Sequence, residues 1–83
     1  MRSFNGAPVD PDAAGCCVGL IGVGDSYATC MSEPTTSGTL AFGDSPQLSW
    51  AFTCDRHAVI LGAPRPLNID DINELDRRRY AAR

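Results

Sequence analysis

The cysteines and the single histidine are the residues of this chain whose types and spacing could do chemistry. Cys54 and His57 lie three positions apart, directly after a strand-like run, and this spacing is typical of paired metal ligands. Cys17 and Cys30 lie upstream and could complete a set of three thiolates and one imidazole. Zinc takes four ligands of these types in a closed tetrahedron. The sequence therefore predicts a zinc site formed by Cys17, Cys30, Cys54 and His57.

Locally, the segment from Cys54 to His57 resembles the second half of a zinc ribbon or treble clef. The first half departs from those patterns, because Cys16 and Cys17 are adjacent and Cys30 stands alone in place of a Cys-x-x-Cys knuckle. Two other interpretations of the thiols therefore stay open. They could be reduced and buried as small hydrophobic side chains. They could also form disulfides, in which case Cys16 and Cys17 would need separate partners.

Two further groups of residues could carry a function. A thiolate at Cys54 could be activated by His57 for nucleophilic catalysis, although no third residue that would orient the imidazole stands out. The C-terminal end carries arginines that could neutralise phosphates and a tyrosine that could stack on a base. The same arginines would also complement a helix dipole, and the acidic body of the chain would repel nucleic acid. This second group comprises Arg77, Arg78, Arg79 and Tyr80.

Size and composition limit the classes of protein to which the chain could belong. It has 83 residues, a formal net charge of −3 and no lysine. A domain this small has a modest core and often needs a metal, a disulfide or a partner subunit for stability. No apolar run approaches the roughly 20 residues of a membrane-spanning helix. Residues 1–8 lack the apolar segment of a secretory signal, so we expect a cytoplasmic protein without membrane contact, in which thiols stay reduced.

A β-hairpin is expected to position the first two ligands. Two β-prone runs, 16–23 and 26–31, flank a Gly-Asp pair that is typical of a two-residue turn. The register of such a hairpin places Cys17 and Cys30 on one face and Cys16 on the other, because side chains alternate along a strand. Both faces of the hairpin are apolar, so we expect both to be covered by other parts of the protein.

The third cysteine ends a predicted strand over residues 47–54. Leu48, Trp50, Phe52 and Cys54 alternate with smaller or more polar residues, which is the two-residue period of a half-buried strand. We expect the face that carries Trp50 and Phe52 to be the hydrophobic centre of the protein. The thiol of Cys54 would then point in the same direction as this core.

The remaining segments complete the order of elements. Residues 39–42 predict a short strand, 55–61 a helical turn and 63–67 an extended connector stiffened by proline. Residues 68–82 predict a helix capped by Asn68, with acidic residues in its first turns and arginines in its last. One face of this helix carries a narrow apolar stripe, formed by Ile69, Ile72, Leu75 and Tyr80.

Together these patterns predict an α+β fold with a small antiparallel sheet of three or four strands, the hairpin first, and one C-terminal helix. A zinc ion bound by the four predicted ligands would cross-link this fold. Residues 1–15 are expected to be a flexible arm and residues 16–83 a single domain. We interpret the chain as a non-catalytic binding or adaptor module that contacts an unidentified protein or forms a homodimer. The alternative is a nucleic-acid- or transcription-associated zinc module, and the third interpretation is a thiol enzyme or redox protein.

Overall fold

The structure, a computed structural model, describes residues 3–4, 7–42 and 46–81. Within these residues the chain forms β-strands, one 3₁₀ helix and one α-helix. The 3₁₀ helix spans Asp55–Ile60, and helix α1 spans Ile69–Ala81. The strands are β1 (Ser3–Phe4), β2 (Ala7–Pro8), β3 (Leu20–Val23), β4 (Ser26–Thr29), β5 (Thr36–Leu40), β6 (Ser49–Thr53) and β7 (Gly62–Pro66).

The strands pair in small antiparallel sheets. β3 and β4 form a two-stranded hairpin, β5 lies between β6 and β7 in a three-stranded sheet, and β1 pairs with β2 over two residues. The predicted α+β fold of antiparallel strands with one C-terminal helix is confirmed. The segment before the hairpin reaches the three-stranded sheet through the N–H of Val18, which donates to the carbonyl of Phe52 at 3.1 Å.

The hairpin has the predicted register. Val23 pairs with Ser26, and the N–H of Cys30 donates to the carbonyl of Gly19 at 3.0 Å. Gly24 has a φ of +60°, which suits the first central position of a type II′ turn. The expectation that both faces are covered is wrong, because the exposed residues run from position 21 to position 28. The rest of the protein packs at the cysteine end of the hairpin and leaves the turn end in solvent.

Both faces of β6 bury residues, and the largest hydrophobic cluster includes Ala51, which lies on the face opposite to the one predicted. Phe52 is 1% exposed, but Trp50 is 36% exposed, so the expected Trp50/Phe52 centre is wrong for the tryptophan. Leu48 also lies outside the core. Trp50 instead contacts polar groups: its Nε1 donates to Asp71 of α1, and the guanidinium of Arg65 in β7 lies over its ring. The core cluster comprises Val9, Val18, Leu40, Ala51, Ile60 and Leu61.

The predicted proline-stiffened connector is a strand of the sheet. β7 pairs antiparallel with β5, and the register shifts between Ser37 and Thr39, so that β7 contains one extra residue. Ala63 lies in this bulge with a φ of 49°. β7 is an edge strand, a position where residues such as Pro64 and Pro66 are tolerated because one side of the strand needs no donors.

Helix α1 begins at its predicted cap. Oδ1 of Asn68 accepts from the N–H of Asp71 at 2.9 Å, and Oδ2 of Asp71 accepts from the N–H of Asn68 at 3.1 Å. This reciprocal pair satisfies two backbone donors of the first turn. Of the apolar stripe on this helix, Leu75 is buried against the rest of the chain, whereas Ile69, Ile72 and Tyr80 are exposed. No helix among the described residues has both the length and the apolar character needed to cross a membrane.

The second half of the predicted N-terminal arm packs against the rest of the chain. Val9 is buried in the core and forms a β-bridge with Gly19. The N–H of Asp10 donates to the carbonyl of Val18 at 2.7 Å. The flexibility of residues 1–15 and a domain boundary at residue 16 stay predictions.

Candidate metal centre

Four buried side chains meet where the hairpin, the end of β6 and the 3₁₀ helix come together. The sulfur atoms of Cys17, Cys30 and Cys54 and a ring nitrogen of His57 all lie within 4.8 Å of one another. Cys17 precedes β3, Cys30 follows β4, and Cys54 and His57 lie at the junction of β6 with the 3₁₀ helix. The structure therefore brings together all four predicted ligands. That they bind a metal stays a prediction.

Four of the six separations within this cluster can be compared with the edges of a tetrahedral metal site. Sγ of Cys54 lies 3.8 Å from Sγ of Cys17 and 3.9 Å from Sγ of Cys30. Nδ1 of His57 lies 3.4 Å from Sγ of Cys17 and 3.3 Å from Sγ of Cys54. Zinc–sulfur bonds of about 2.3 Å and zinc–nitrogen bonds of about 2.05 Å give tetrahedral edges of about 3.8 Å and about 3.5 Å. The four measured separations agree with these edges to within about 0.2 Å.

The imidazole of His57 is oriented by the absence of a side chain at Gly19. A Cβ atom at Gly19 would lie 2.1 Å from Cγ and 2.4 Å from Nδ1 of His57, so the ring lies directly against the bare backbone of the hairpin. This role of Gly19 was not predicted from the sequence. A glycine within a strand often marks the close approach of another group, and Gly19 lies on the cysteine-bearing face, which is the signal that could have indicated it.

Hydrogen bonds and burial act in opposite directions on the thiols. Burial raises the pKa of the Cys17 thiol to about 12, although its sulfur accepts N–H donors from Cys54 at 3.3 Å and Gly19 at 3.4 Å. Burial also acts to raise the pKa of Cys30, but hydrogen bonds from Ser32 and the two neighbouring thiols outweigh it and lower that pKa. A divalent cation would stabilise the three thiolates together, and the backbone donors would offset the remaining negative charge.

The cysteines are not linked to one another. All four lie in the described part of the chain and all four are free thiols. Sulfur separations of 3.8 and 3.9 Å are far longer than a disulfide bond of about 2.05 Å. Cys16 is partly exposed and lies outside the cluster, in agreement with the hairpin register. A metal site and a cluster of reduced, buried thiols are the two descriptions that fit this arrangement.

The arginines predicted as nucleic-acid ligands are paired with carboxylates of the chain. Arg77 and Arg78 both bind Glu74, at 2.6 and 2.8 Å, and Arg79 binds Glu33 at 2.8 Å. Hydrogen bonds from Arg77 and Arg78 lower the pKa of Glu74 to about 2. The positive charge at this end of α1 is therefore offset locally. The tyrosine of the predicted group is exposed, as described above.

Comparison of this chain with protein-family models, with curated proteins and with solved structures found no match.

Proposed function

We propose that this chain is a small binding module, cross-linked by a structural zinc ion, that acts through protein contacts and not through catalysis. The observation that carries the zinc is the agreement of the sulfur–sulfur and sulfur–nitrogen separations with the edges of a tetrahedral site. Four protein ligands complete the coordination of zinc and leave no position for water or substrate. The ion would therefore act on the fold.

A zinc ion at this position would connect segments that lie far apart in the sequence. Cys17 and Cys54 are separated by 37 residues, and Cys30 and Cys54 by 24 residues. The hairpin and the three-stranded sheet are separate sheets, and the ion would link them through side chains. A domain of this size gains stability from such a cross-link because its core is small.

Burial of the chemically reactive groups supports a non-catalytic role. Cys54 is 8% exposed and His57 is 6% exposed. Their separation of 3.3 Å would suit a nucleophile and its base, but a substrate would need direct access to the sulfur. This is the reason to rank the thiol-enzyme interpretation below the structural one.

The exposed hairpin supports the assignment of protein contacts. Val23, Tyr27 and Met31 are exposed apolar side chains on or beside β3 and β4. The edge strand β7 carries prolines and the segment before β3 bonds to β6, whereas β3 and β4 themselves carry no proline. β4 itself contains neither a proline nor a charged residue. Such an unprotected strand edge is a template for pairing with another strand.

We infer that the partner at this edge is a second copy of the chain. Two identical antiparallel strands related by a two-fold axis satisfy each other's backbone groups, and an uncharged strand brings no like charges together. A nucleic-acid partner has less support, because the arginines that would bind phosphate are paired with Glu33 and Glu74.

Zinc binding is tested by native mass spectrometry of the full chain before and after treatment with a chelator. We expect a mass excess of one zinc ion per chain, and a lower midpoint of thermal unfolding after the ion is removed. The variant Cys54→Ser should lose the ion, whereas Cys16→Ser, a cysteine outside the cluster, should retain it. Equal masses before and after chelation would contradict the proposal, as would an unchanged zinc content in Cys54→Ser.

A further inference from the structure

The guanidinium group of Arg79 in α1 bridges two segments that flank the hairpin cysteines, one before Cys17 and one after Cys30. Nε of Arg79 donates to the carbonyl of Gly15 at 2.7 Å, and Nη2 of Arg79 binds Oε2 of Glu33 at 2.8 Å. Gly15 lies two residues before Cys17, and Glu33 lies three residues after Cys30. One arginine side chain therefore ties both of these segments to the C-terminal helix.

The contact with Gly15 is closely fitted. Gly15 is buried and has a φ of +70°, a backbone conformation that glycine adopts without strain. A Cβ atom at this position would lie 2.2 Å from Cγ of Arg79, so the stem of the arginine occupies the space that a side chain would need. The conformation of the chain just before Cys17 is therefore matched to the position of Arg79.

The neighbouring arginine contacts the third segment that carries a ligand. Nη2 of Arg78 donates to the carbonyl of Trp50 at 3.2 Å, and its guanidinium lies 5.0 Å from the centre of the Phe52 ring. Both residues belong to β6, which leads directly to Cys54. Successive arginines of α1 thus contact all three cysteine-bearing segments.

We propose that Arg79 is a positioning residue for the metal site, and that metal binding and the docking of α1 stabilise each other. The proposal rests on the proposed zinc function. The segments before Cys17 and after Cys30 must be held at tetrahedral spacing when the ion is bound. Arg79 restrains both of them from α1, so the free energy of metal binding includes the docking of the helix. The coupling is reciprocal: removal of the ion loosens the C-terminal end of α1.

Arg77 provides a matched control on the same helix. Its side chain is 70% exposed and binds Glu74 within α1. Among the described residues, it makes no hydrogen bond to the segments that carry the cysteines. Replacing Arg77 by Gln therefore removes one positive charge from α1, as Arg79→Gln does, without touching the bridge between Gly15 and Glu33.

The test compares the wild-type full chain with Arg79→Gln and Arg77→Gln in three measurements. Zinc affinity, measured by competition with a chromophoric chelator, should fall about tenfold in Arg79→Gln and stay at the wild-type value in Arg77→Gln. The visible absorption of the cobalt-substituted protein, which reports ligand geometry, should change in Arg79→Gln alone. Hydrogen exchange of residues 76–81 should accelerate on zinc removal in the wild type and should not depend on zinc in Arg79→Gln.

A second, milder variant keeps the test valid if Arg79→Gln fails to fold. Glu33 is 79% exposed, so Glu33→Gln weakens one arm of the bridge with little effect on the core, and we expect a smaller loss of zinc affinity than in Arg79→Gln. The inference would be overturned if Arg79→Gln and Glu33→Gln both kept the zinc affinity and the cobalt absorption of the wild type. Zinc-independent exchange of α1 in the wild type would overturn it as well. A wild-type chain that binds no zinc would instead refute the proposed function, and the inference with it.

Discussion

At the scale of single residues, the candidate metal site depends on a glycine as much as on its ligands. His57 can present Nδ1 to the sulfurs because Gly19 leaves room for the ring. The 3₁₀ helix supplies the other restraint, since the N–H of His57 donates to the carbonyl of Cys54 at 3.2 Å. The imidazole is therefore held between its own helix and the hairpin.

We predict that Gly19→Ala weakens metal binding. The added methyl group would occupy space now filled by Cγ and Nδ1 of His57, so the ring must move away from the sulfurs. A loss of about 10- to 100-fold in metal affinity is typical when the orientation of a ligand is disturbed. Gly22→Ala in the adjoining strand β3 is the control, because its Cβ would lie 3.7 Å from the Tyr27 ring, an ordinary contact. Equal affinities for the two variants in a chelator competition would contradict this role of Gly19.

At the scale of elements, one buried carboxylate joins the start of α1 to every strand of the three-stranded sheet. Asp71 accepts hydrogen bonds from the hydroxyl of Ser37 in β5 at 3.0 Å and from Nε1 of Trp50 in β6 at 3.1 Å. It also pairs with Arg65 of β7 at 3.1 Å. Burial acts to raise the pKa of Asp71, but its hydrogen bonds with Asn68, Ser37 and Trp50 and the charge of Arg65 together lower it.

We predict that Asp71→Asn lowers the free energy of unfolding at neutral pH by about 2–3 kcal/mol, because hydrogen bonds to a buried charged group are lost. The folded-state pKa of Asp71 lies below its ordinary value of 3.8. Its stabilising effect is therefore complete well above that value, and is lost as the pH falls through the folded-state pKa. The difference between wild type and variant should narrow below pH 3.8.

The measurement for this prediction is urea-induced unfolding at a series of pH values. Asp70→Asn is the control, since Asp70 precedes Asp71 in the first turn of α1 but is exposed. Both variants remove one negative charge near the helix N-terminus, so a specific effect of Asp71 must exceed the effect of Asp70. Equal stabilities of the two variants at pH 7 would show that the contacts of Asp71 add nothing beyond its charge.

At the scale of the whole molecule, the described residues leave the turn end of the hairpin uncovered. A two-stranded hairpin is marginal in water without further packing. Its cysteine end is anchored at the candidate metal site, whereas the part from Ile21 to Ala28 projects with apolar side chains exposed. Pairing of β4 with β4 of a second copy would extend the hairpin to a four-stranded sheet and cover part of this surface.

We predict that the chain self-associates and that Tyr27→Lys shifts it toward the monomer. Since Cys30 bonds to Gly19, the alternation of antiparallel pairs directs the N–H groups of Tyr27 and Thr29 toward the free edge of β4. Lysine at position 27 would place two like charges close together at the two-fold axis. Ile69→Lys, which adds the same charge at an exposed position of α1, should leave association unchanged. Sedimentation analysis over a range of concentrations measures the effect, and a wild type that stays monomeric throughout refutes it.

Local rules were enough to predict which four side chains form the buried cluster, and to predict several elements. Residue types and spacing identified Cys17, Cys30, Cys54 and His57, and the turn residues predicted the register that separates Cys17 from Cys16. The cap of α1 at Asn68 was also predicted from the residue type and its position in the sequence. These features depend on neighbours in the chain, through backbone alternation and short-range hydrogen bonds, so the order of amino acids is sufficient to indicate them.

The features of the fold that the sequence did not predict depend on contacts between residues far apart in the chain. The groups that each face of β6 contacts, the pairing of the proline-rich segment as β7 and the partners of Asp71 and Arg79 all depend on segments far apart in sequence. Trp50 could have entered the core by its hydrophobicity, yet it lies beside Asp71 and Arg65 because the sheet brings those groups to the same face. Periodicity indicates that a strand has two faces, but only the packing of the whole chain determines what each face meets.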